Sequence, residues 1–288
     1  MGLLLAVCSI PFVDAPAEKH STAGTRPPVQ TSPSAPDAFS VPVRAGVTAA
    51  CPDGTSGKRI EALYVHGDEQ TSRLPLLRSR FQNDLKLADA AVLQAAKQHG
   101  GGVRRLRYVR DAQCQTPVVD VTITQAAMKE VNTITAAIKA QGYSEPDRKY
   151  IVWYEAKGCG VSFGNGGSDE PGWYNLYNFG PHYATVGTDC WGWNNTLHEL
   201  LHALGAVQES APHGTKNGHC WDDEDIMCYD DQSLSEKGLV VRCPKVRGKI
   251  TGDHIDCNGD DYFNTKPAPG SYLATHWNVA NSDYLDRK

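Results

Sequence analysis

No two cysteines in this 288-residue chain stand in a CxxC spacing, which excludes the zinc-ribbon class of thiolate metal sites. Positive charge is not in excess either. Against 33 Asp and Glu there are 28 Lys and Arg, a formal net charge of -5, so the chain lacks the basic footprint of a nucleic-acid partner. The apolar run at residues 2–13 is too short to cross a bilayer, and no membrane span is expected. Internal repeats are missing. Between Cys8 and Cys51 there is no cysteine, so a cysteine-switch propeptide is excluded.

What is there begins with that short apolar run, followed by Ala15-Pro16-Ala17, the small-x-small pattern of signal-peptidase cleavage. A signal peptide is expected over 1–17, although the basic segment that usually opens one is missing. A rival reading takes Leu5-Ala6-Val7-Cys8 as a lipoprotein box that anchors the chain through Cys8. Residues 18–50 are rich in Pro, Ser, Thr and Ala and poor in large apolar side chains. They cannot bury enough surface to order themselves, and a disordered leader is expected.

Without Cys8, eight cysteines remain. In an exported chain an even set reads as disulfides. Proximity along the chain pairs Cys51 with Cys114, Cys159 with Cys190, Cys220 with Cys228, and Cys243 with Cys257.

The folded part is expected over 51–288. Hydrophobic residues make up 40% of the chain, enough for a real core. Apolar spacing predicts strands over 59–66, 105–109, 118–123 and 149–155, with a short edge strand at 183–186. It predicts helices over 74–99, 125–141 and 197–204, and a last one over 272–284. The stretch 158–181 is rich in Gly, Asn and Asp and reads as loop. Alternating strands and helices followed by an irregular tail imply one mixed α/β (α+β) domain.

The chemistry is concentrated in His198-Glu199-Leu200-Leu201-His202, continuing to Gly205. Residues four apart share a helix face, so both imidazoles can hold one metal ion while Glu199 reaches water on it. That is the local chemistry of a zinc hydrolase, with zinc-bound water as nucleophile and Glu199 as general base. Asn194-Asn195-Thr196 offers capping chemistry ahead of this helix, and Gly205 can stop it sharply. Downstream, Asp225-Ile226-Met227-Cys228-Tyr229 places Met and Tyr two apart in a cysteine-pinned turn.

On His198, Glu199, His202, Gly205 and Met227 the chain resembles the metzincin clan of zinc metalloendopeptidases, whose HExxHxxGxxH/D helix is followed by a Met-turn. It is also similar to exported actinobacterial proteins with an HExxHxxGAVQ segment and a DDYF-containing tail. The resemblance implies a twisted mixed sheet, two packing helices, an active-site helix and a loop-rich, disulfide-bonded C-terminal part. It further implies peptide-bond hydrolysis, a protein or peptide substrate, and an oxyanion role for Tyr229.

The clan's third ligand falls at position 208, where this chain has Gln208, a poor zinc ligand. The ligand is then expected from farther along. His219 is favoured because a Cys220–Cys228 bridge would clamp it beside Met227, with His213 as the alternative. Glu209 and the acidic run 222–225 are lesser candidates.

Other signals compete with this site. Gly160-Val161-Ser162-Phe163-Gly164 matches a serine nucleophile elbow, yet a loop-like stretch follows where a helix must. Residues 256–261 alternate oxygen side chains as Ca2+ loops do. Trp173, Tyr174, Tyr177, Trp191 and Trp193 would serve a carbohydrate surface or pack under loops. The expectation is a secreted monomeric zinc metallopeptidase; the alternative is a secreted binding protein that keeps the scaffold without catalysis.

Overall fold

The computed structural model describes residues 51–164, 168–222, 224–231, 239–240, 243 and 254–287. The expected signal peptide (1–17) and leader (18–50) lie outside the described residues. The order is β1 (Arg59–Gly67), α1 (Leu74–Gln98), β2 (Arg105–Leu106), β3 (Val118–Ile123), α2 (Val131–Ala140), β4 (Arg148–Tyr154), β5 (Gly160–Phe163), β6 (His182–Val186), α3 (Trp193–Ala203), α4 (Tyr272–Thr275) and β7 (Leu285–Asp286).

A five-stranded sheet runs β3-β1-β4-β6-β5. Its first four strands pair in parallel, and β5 alone lies antiparallel, against β6. Strands buried on both faces read as nearly continuous apolar runs, and β1 and β4 do so. On one face Ile60, Ala62, Tyr64, Ile151, Trp153, Ala184 and Val186 meet α1 and α3. On the other, Leu63, Val65, Tyr150, Val152, Tyr154 and Tyr183 meet Ile134 and Ile138 of α2. The result is a three-layer α/β domain.

The helix α1 turns Phe81, Leu85, Ala88 and Val92 inward at spacings of three and four. Phe81 stacks on Trp153 with ring centroids 4.3 Å apart, and Trp153 Nε1 donates to Thr196 Oγ1 at 3.0 Å. One tryptophan thus ties α1, β4 and α3 together. Four disulfides pair neighbours along the chain: Cys51–Cys114, Cys159–Cys190, Cys220–Cys228 and Cys243–Cys257.

Several sequence expectations need correction. The stretch 158–181 is not all loop, because Gly160–Phe163 forms the edge strand. The strand at Tyr183 is therefore interior, between β4 and β5. Backbone pairing makes β5, and a four-residue strand beside glycines carries no readable period. The helix predicted over 125–141 is split: Ala127–Lys129 makes a short 3₁₀ turn, and an extended Glu130 separates it from α2. The last helix ends at Thr275, because Trp277 turns inward, its backbone N–H on Asp169 O at 2.6 Å and its Nε1 on Leu204 O at 2.8 Å.

Lys149, at the start of β4, is fully buried. Its Nζ donates to Phe179 O at 3.1 Å and lies 2.8 Å from His182 Nδ1, which is itself 2.9 Å from Phe179 O. Neither partner is a carboxylate, and burial first, then nearby Lys58, hold its pKa well below the lysine range. The folded chain releases that proton at lower pH than the unfolded chain does, so between those two values this group makes stability rise with pH and fall as pH drops. Lys149→Met should remove this slope. In denaturant titrations from about pH 6 to about pH 9, the wild type should gain on the variant by up to about 1.4 kcal/mol per pH unit. Equal slopes would mean that the buried amine stays charged.

Candidate metal centre

The site is carried by α3, which buries Leu197, Leu200 and Leu201 against the sheet and α1. That docking leaves His198 and His202, four residues apart, on the other face. The helix starts at Trp193, with Gly192 as its cap and no side-chain cap bond. Asn194, Asn195 and Thr196 therefore lie inside it rather than ahead of it. Asn195 instead donates to Cys190 O at 2.9 Å, and Thr196 accepts from Trp153.

At the other end Gly205 has φ +95°, and an added Cβ would come within 2.5 Å of Trp277 Nε1 and 2.6 Å of Tyr177 Cγ. Only glycine combines that backbone with that close approach. Past it, the chain turns toward Gln208, whose Nε2 donates to Gly205 O at 2.5 Å. Gln208 is buried as a stay for the helix end.

Three imidazoles converge. His202 Nε2 lies 3.1 Å from His198 Nε2 and 3.1 Å from His219 Nε2. Their other ring nitrogens all face acceptors on the far side. His198 Nδ1 is 2.6 Å from Ile226 O, His202 Nδ1 is 2.9 Å from Ala206 O, and His219 Nδ1 is 3.1 Å from Asp231 Oδ2.

With each Nδ1 donating, every Nε2 presents a lone pair to the same point. Burial first, then neighbouring His219, pushes His198 down to about 4. Burial, then His198 and His219, takes His202 well below its usual value. Burial also lowers His219, with Asp231 opposing. Three neutral imidazoles are the protonation state that binds a metal. The Nε2 atom of His202, 3.1 Å from those of His198 and His219, would bring all three within reach of one small ion. The donor set fits Zn2+ and leaves a fourth position for water or substrate.

On the same helix, Glu199 is buried and its pKa is raised to about 8 by burial. Its carboxylate lies against β5. A Cβ on Gly160 would sit 2.2 Å from Glu199 Oε1 and 2.6 Å from its Cγ, so only glycine leaves room there. Met227 is fully buried. The turn that holds it supplies the Ile226 carbonyl to His198. Asp225 organises that turn: its Oδ1 accepts from Met227 N at 2.7 Å and Tyr262 OH at 2.7 Å, and its Oδ2 from Cys257 N at 3.0 Å. The ring of Tyr229 lies 4.2 Å from that of His219 and 5.9 Å from that of His198, centroid to centroid.

The remaining sequence candidates lie elsewhere. His213 stands apart from the three imidazoles, its Nδ1 2.9 Å from Asp261 Oδ2 and 3.6 Å from Asp260 Oδ1. Glu209 is exposed. In the stretch 256–261, the Asp256 carboxylate accepts from the backbone N–H groups of Asp260, Asp261, Tyr262 and Phe263. Asp256 thereby organises the loop, while His213, Asp260 and Asp261 bring their ligand atoms within 4.8 Å of one another. Ser162 sits within the β5–β6 ladder, opposite Ala184, and not on a strand-to-helix elbow.

Of the aromatic residues, Trp191 packs edge-on against Phe81, and Tyr177 stacks near Trp277. Trp173 and Tyr174 are exposed. Two residues at the site carried no sequence signal. Gly160 lies in a glycine-rich stretch that read as loop, and Asp231 is one carboxylate among many in its segment.

No family model matches the chain, and no curated protein matches it. Among solved structures it is similar to wild-type OgpA from Akkermansia muciniphila, at 10% identity over 80% of this chain and 70% of that one, with a TM-score of 0.39. It is also similar to a chain in a chaperone-substrate complex, at 14% identity over 68% of this chain and 33% of that one, with a TM-score of 0.27. Likeness at this level does not bear on function, which rests on the geometry of the site.

Metal analysis tests that geometry. The purified chain should hold about one zinc ion, as expected of a single tetrahedral site. His219→Ala should lose it on dialysis against a mild chelator, whereas His213→Ala should keep it. The reverse pattern would make His213 the ligand.

Proposed function

We propose that this chain is a secreted zinc-dependent metallopeptidase of metzincin type, hydrolysing peptide bonds in protein or peptide substrates. The observation that carries the reading is the convergence of three imidazole nitrogens, two of them on the helix that also carries the buried Glu199, whose carboxylate lies against the edge strand β5 at Gly160. Four disulfides fit an extracellular protein. Among the described residues no helix is long and apolar enough to cross a membrane.

His198, His202 and His219 would hold the metal. Zinc in that position supplies a Lewis acid that polarises a carbonyl and acidifies water. Glu199 takes a proton from the attacking water and returns it to the leaving amine. Burial raises the Glu199 pKa to about 8, and a dication held by the imidazoles would favour the ionised form that a general base needs. The Tyr229 hydroxyl stabilises charge on the former carbonyl oxygen, a contribution of about 3–4 kcal/mol for a good donor.

The substrate would lie extended along β5, the edge strand that adjoins Glu199 at Gly160, and pair with its open backbone groups. Tyr183 lies in β6, one strand farther in, so the edge named from the sequence is displaced by one strand.

Glu199→Ala should retain zinc and lose hydrolysis of a denatured protein substrate. Protein purified without zinc, and without hydrolytic activity after zinc is added, would leave the non-catalytic binding protein as the better account. Gly160→Ala probes the same carboxylate from the strand side. It should keep zinc and the fold but lower kcat by about a hundredfold, because small misplacements of a catalytic group are that damaging. A kcat equal to wild type would place Glu199 elsewhere during turnover.

A further inference from the structure

The three rings differ in what holds them. His198 and His202 each face a neutral backbone carbonyl, those of Ile226 and Ala206. His219 faces a carboxylate, Asp231 Oδ2, at 3.1 Å. The Asp231 side chain is only 4% exposed. Thr215 Oγ1 donates to the same oxygen at 2.6 Å, and Thr215 N donates to His219 O at 2.8 Å.

The loop that delivers His219 is therefore tied to Asp231 through its side chain and through Thr215. Asp231 in turn follows the Met-turn by a few residues, on the segment that also carries Tyr229. Its oxygen meets Nδ1, the nitrogen facing away from the point where the three Nε2 atoms converge, which separates it from a ligand.

Resting on the metal-centre reading above, we infer that Asp231 is a positioning residue for the metal. It holds His219 as the Nδ1–H tautomer with Nε2 aimed at the ion, and it makes that imidazole a stronger donor than its two partners. The chemistry is that of a carboxylate–histidine–metal relay. A carboxylate acceptor fixes the tautomer more firmly than a carbonyl, because the charge-assisted hydrogen bond is the stronger. It also places a negative charge near a dication otherwise bound by neutral ligands. The assignment matters most for His219, since it arrives on a loop and not on the rigid α3.

The test compares zinc affinity, by competition with a chromophoric chelator, in the wild type, Asp231→Asn and Thr215→Val. Two readouts accompany it: the visible absorption of the cobalt-substituted proteins and the Tm of the metal-free proteins. Asp231→Asn should weaken zinc binding about ten- to a hundredfold and shift the cobalt spectrum, with little change in metal-free Tm. Thr215→Val should move affinity in the same direction by less.

Zinc affinity and cobalt spectrum equal to wild type in Asp231→Asn would overturn the inference and leave the metal centre standing. A fall in metal-free Tm with an unshifted cobalt spectrum would also overturn it, making Asp231 only a loop anchor. A wild type that binds no zinc would remove the metal-centre reading and this inference with it.

Discussion

Three imidazole nitrogens, that of His202 3.1 Å from each of the other two and all within 4.8 Å of one another, form an arrangement that water alone would disperse. It holds only if every ring proton is kept on the far side by an acceptor that cannot move away. Much of the molecule around α3 meets that condition. The glycine stop returns the chain so that Ala206 O reaches His202. The Met-turn, organised by Asp225, presents Ile226 O to His198. The segment after it presents Asp231 to His219. Ala206 lies just past the helix end, but Ile226 and Asp231 come from the irregular segment that follows, so the site is complete only once that segment has closed over the helix.

The scaffold contributes rigidity where the three imidazoles need it. The sheet fixes α3 through Trp153 and Thr196, and α1 backs the same tryptophan. Among the described residues the C-terminal part has little regular structure, and two of the disulfides lie within it. Cys220–Cys228 joins the residue after His219 to the residue after Met227, so the third imidazole and the turn behave as one unit. Cys159–Cys190 links the approach to β5 with the approach to α3. It thereby fixes the strand that carries Gly160 relative to the helix that carries Glu199.

Much of this was legible in the sequence. The i, i+4 histidines with an intervening glutamate need only helical geometry, a local property. The strands β1 and β4 were legible because strands buried on both faces are apolar throughout. The disulfides follow proximity along the chain. Elements made by pairing rather than by pattern were not legible. The short β5 exists because β6 offers it a partner, and its glycine exists because Glu199 needs the space. The helix start shifted upstream because Asn195 and Thr196 found partners in Cys190 and Trp153, so they did not serve as caps.

The sequence by itself determined which residue types could bind a metal, the helix that carries two of them, and the α/β class. Those depend on spacing within a few residues and on average burial. Only the tertiary structure decided that His219, not His213, joins His198 and His202, that β5 is the edge beside Glu199, and that Asp231 stands behind the third imidazole. His213 and His219 lie in the same irregular loop, and locally only the neighbouring Cys220, with its expected bridge to Cys228, favours His219. His213 is drawn to Asp261, in a segment far along the chain, and His219 to Asp231. That sorting depends on which carboxylates the closed tail brings near, and contacts between distant segments leave no periodic trace in a sequence.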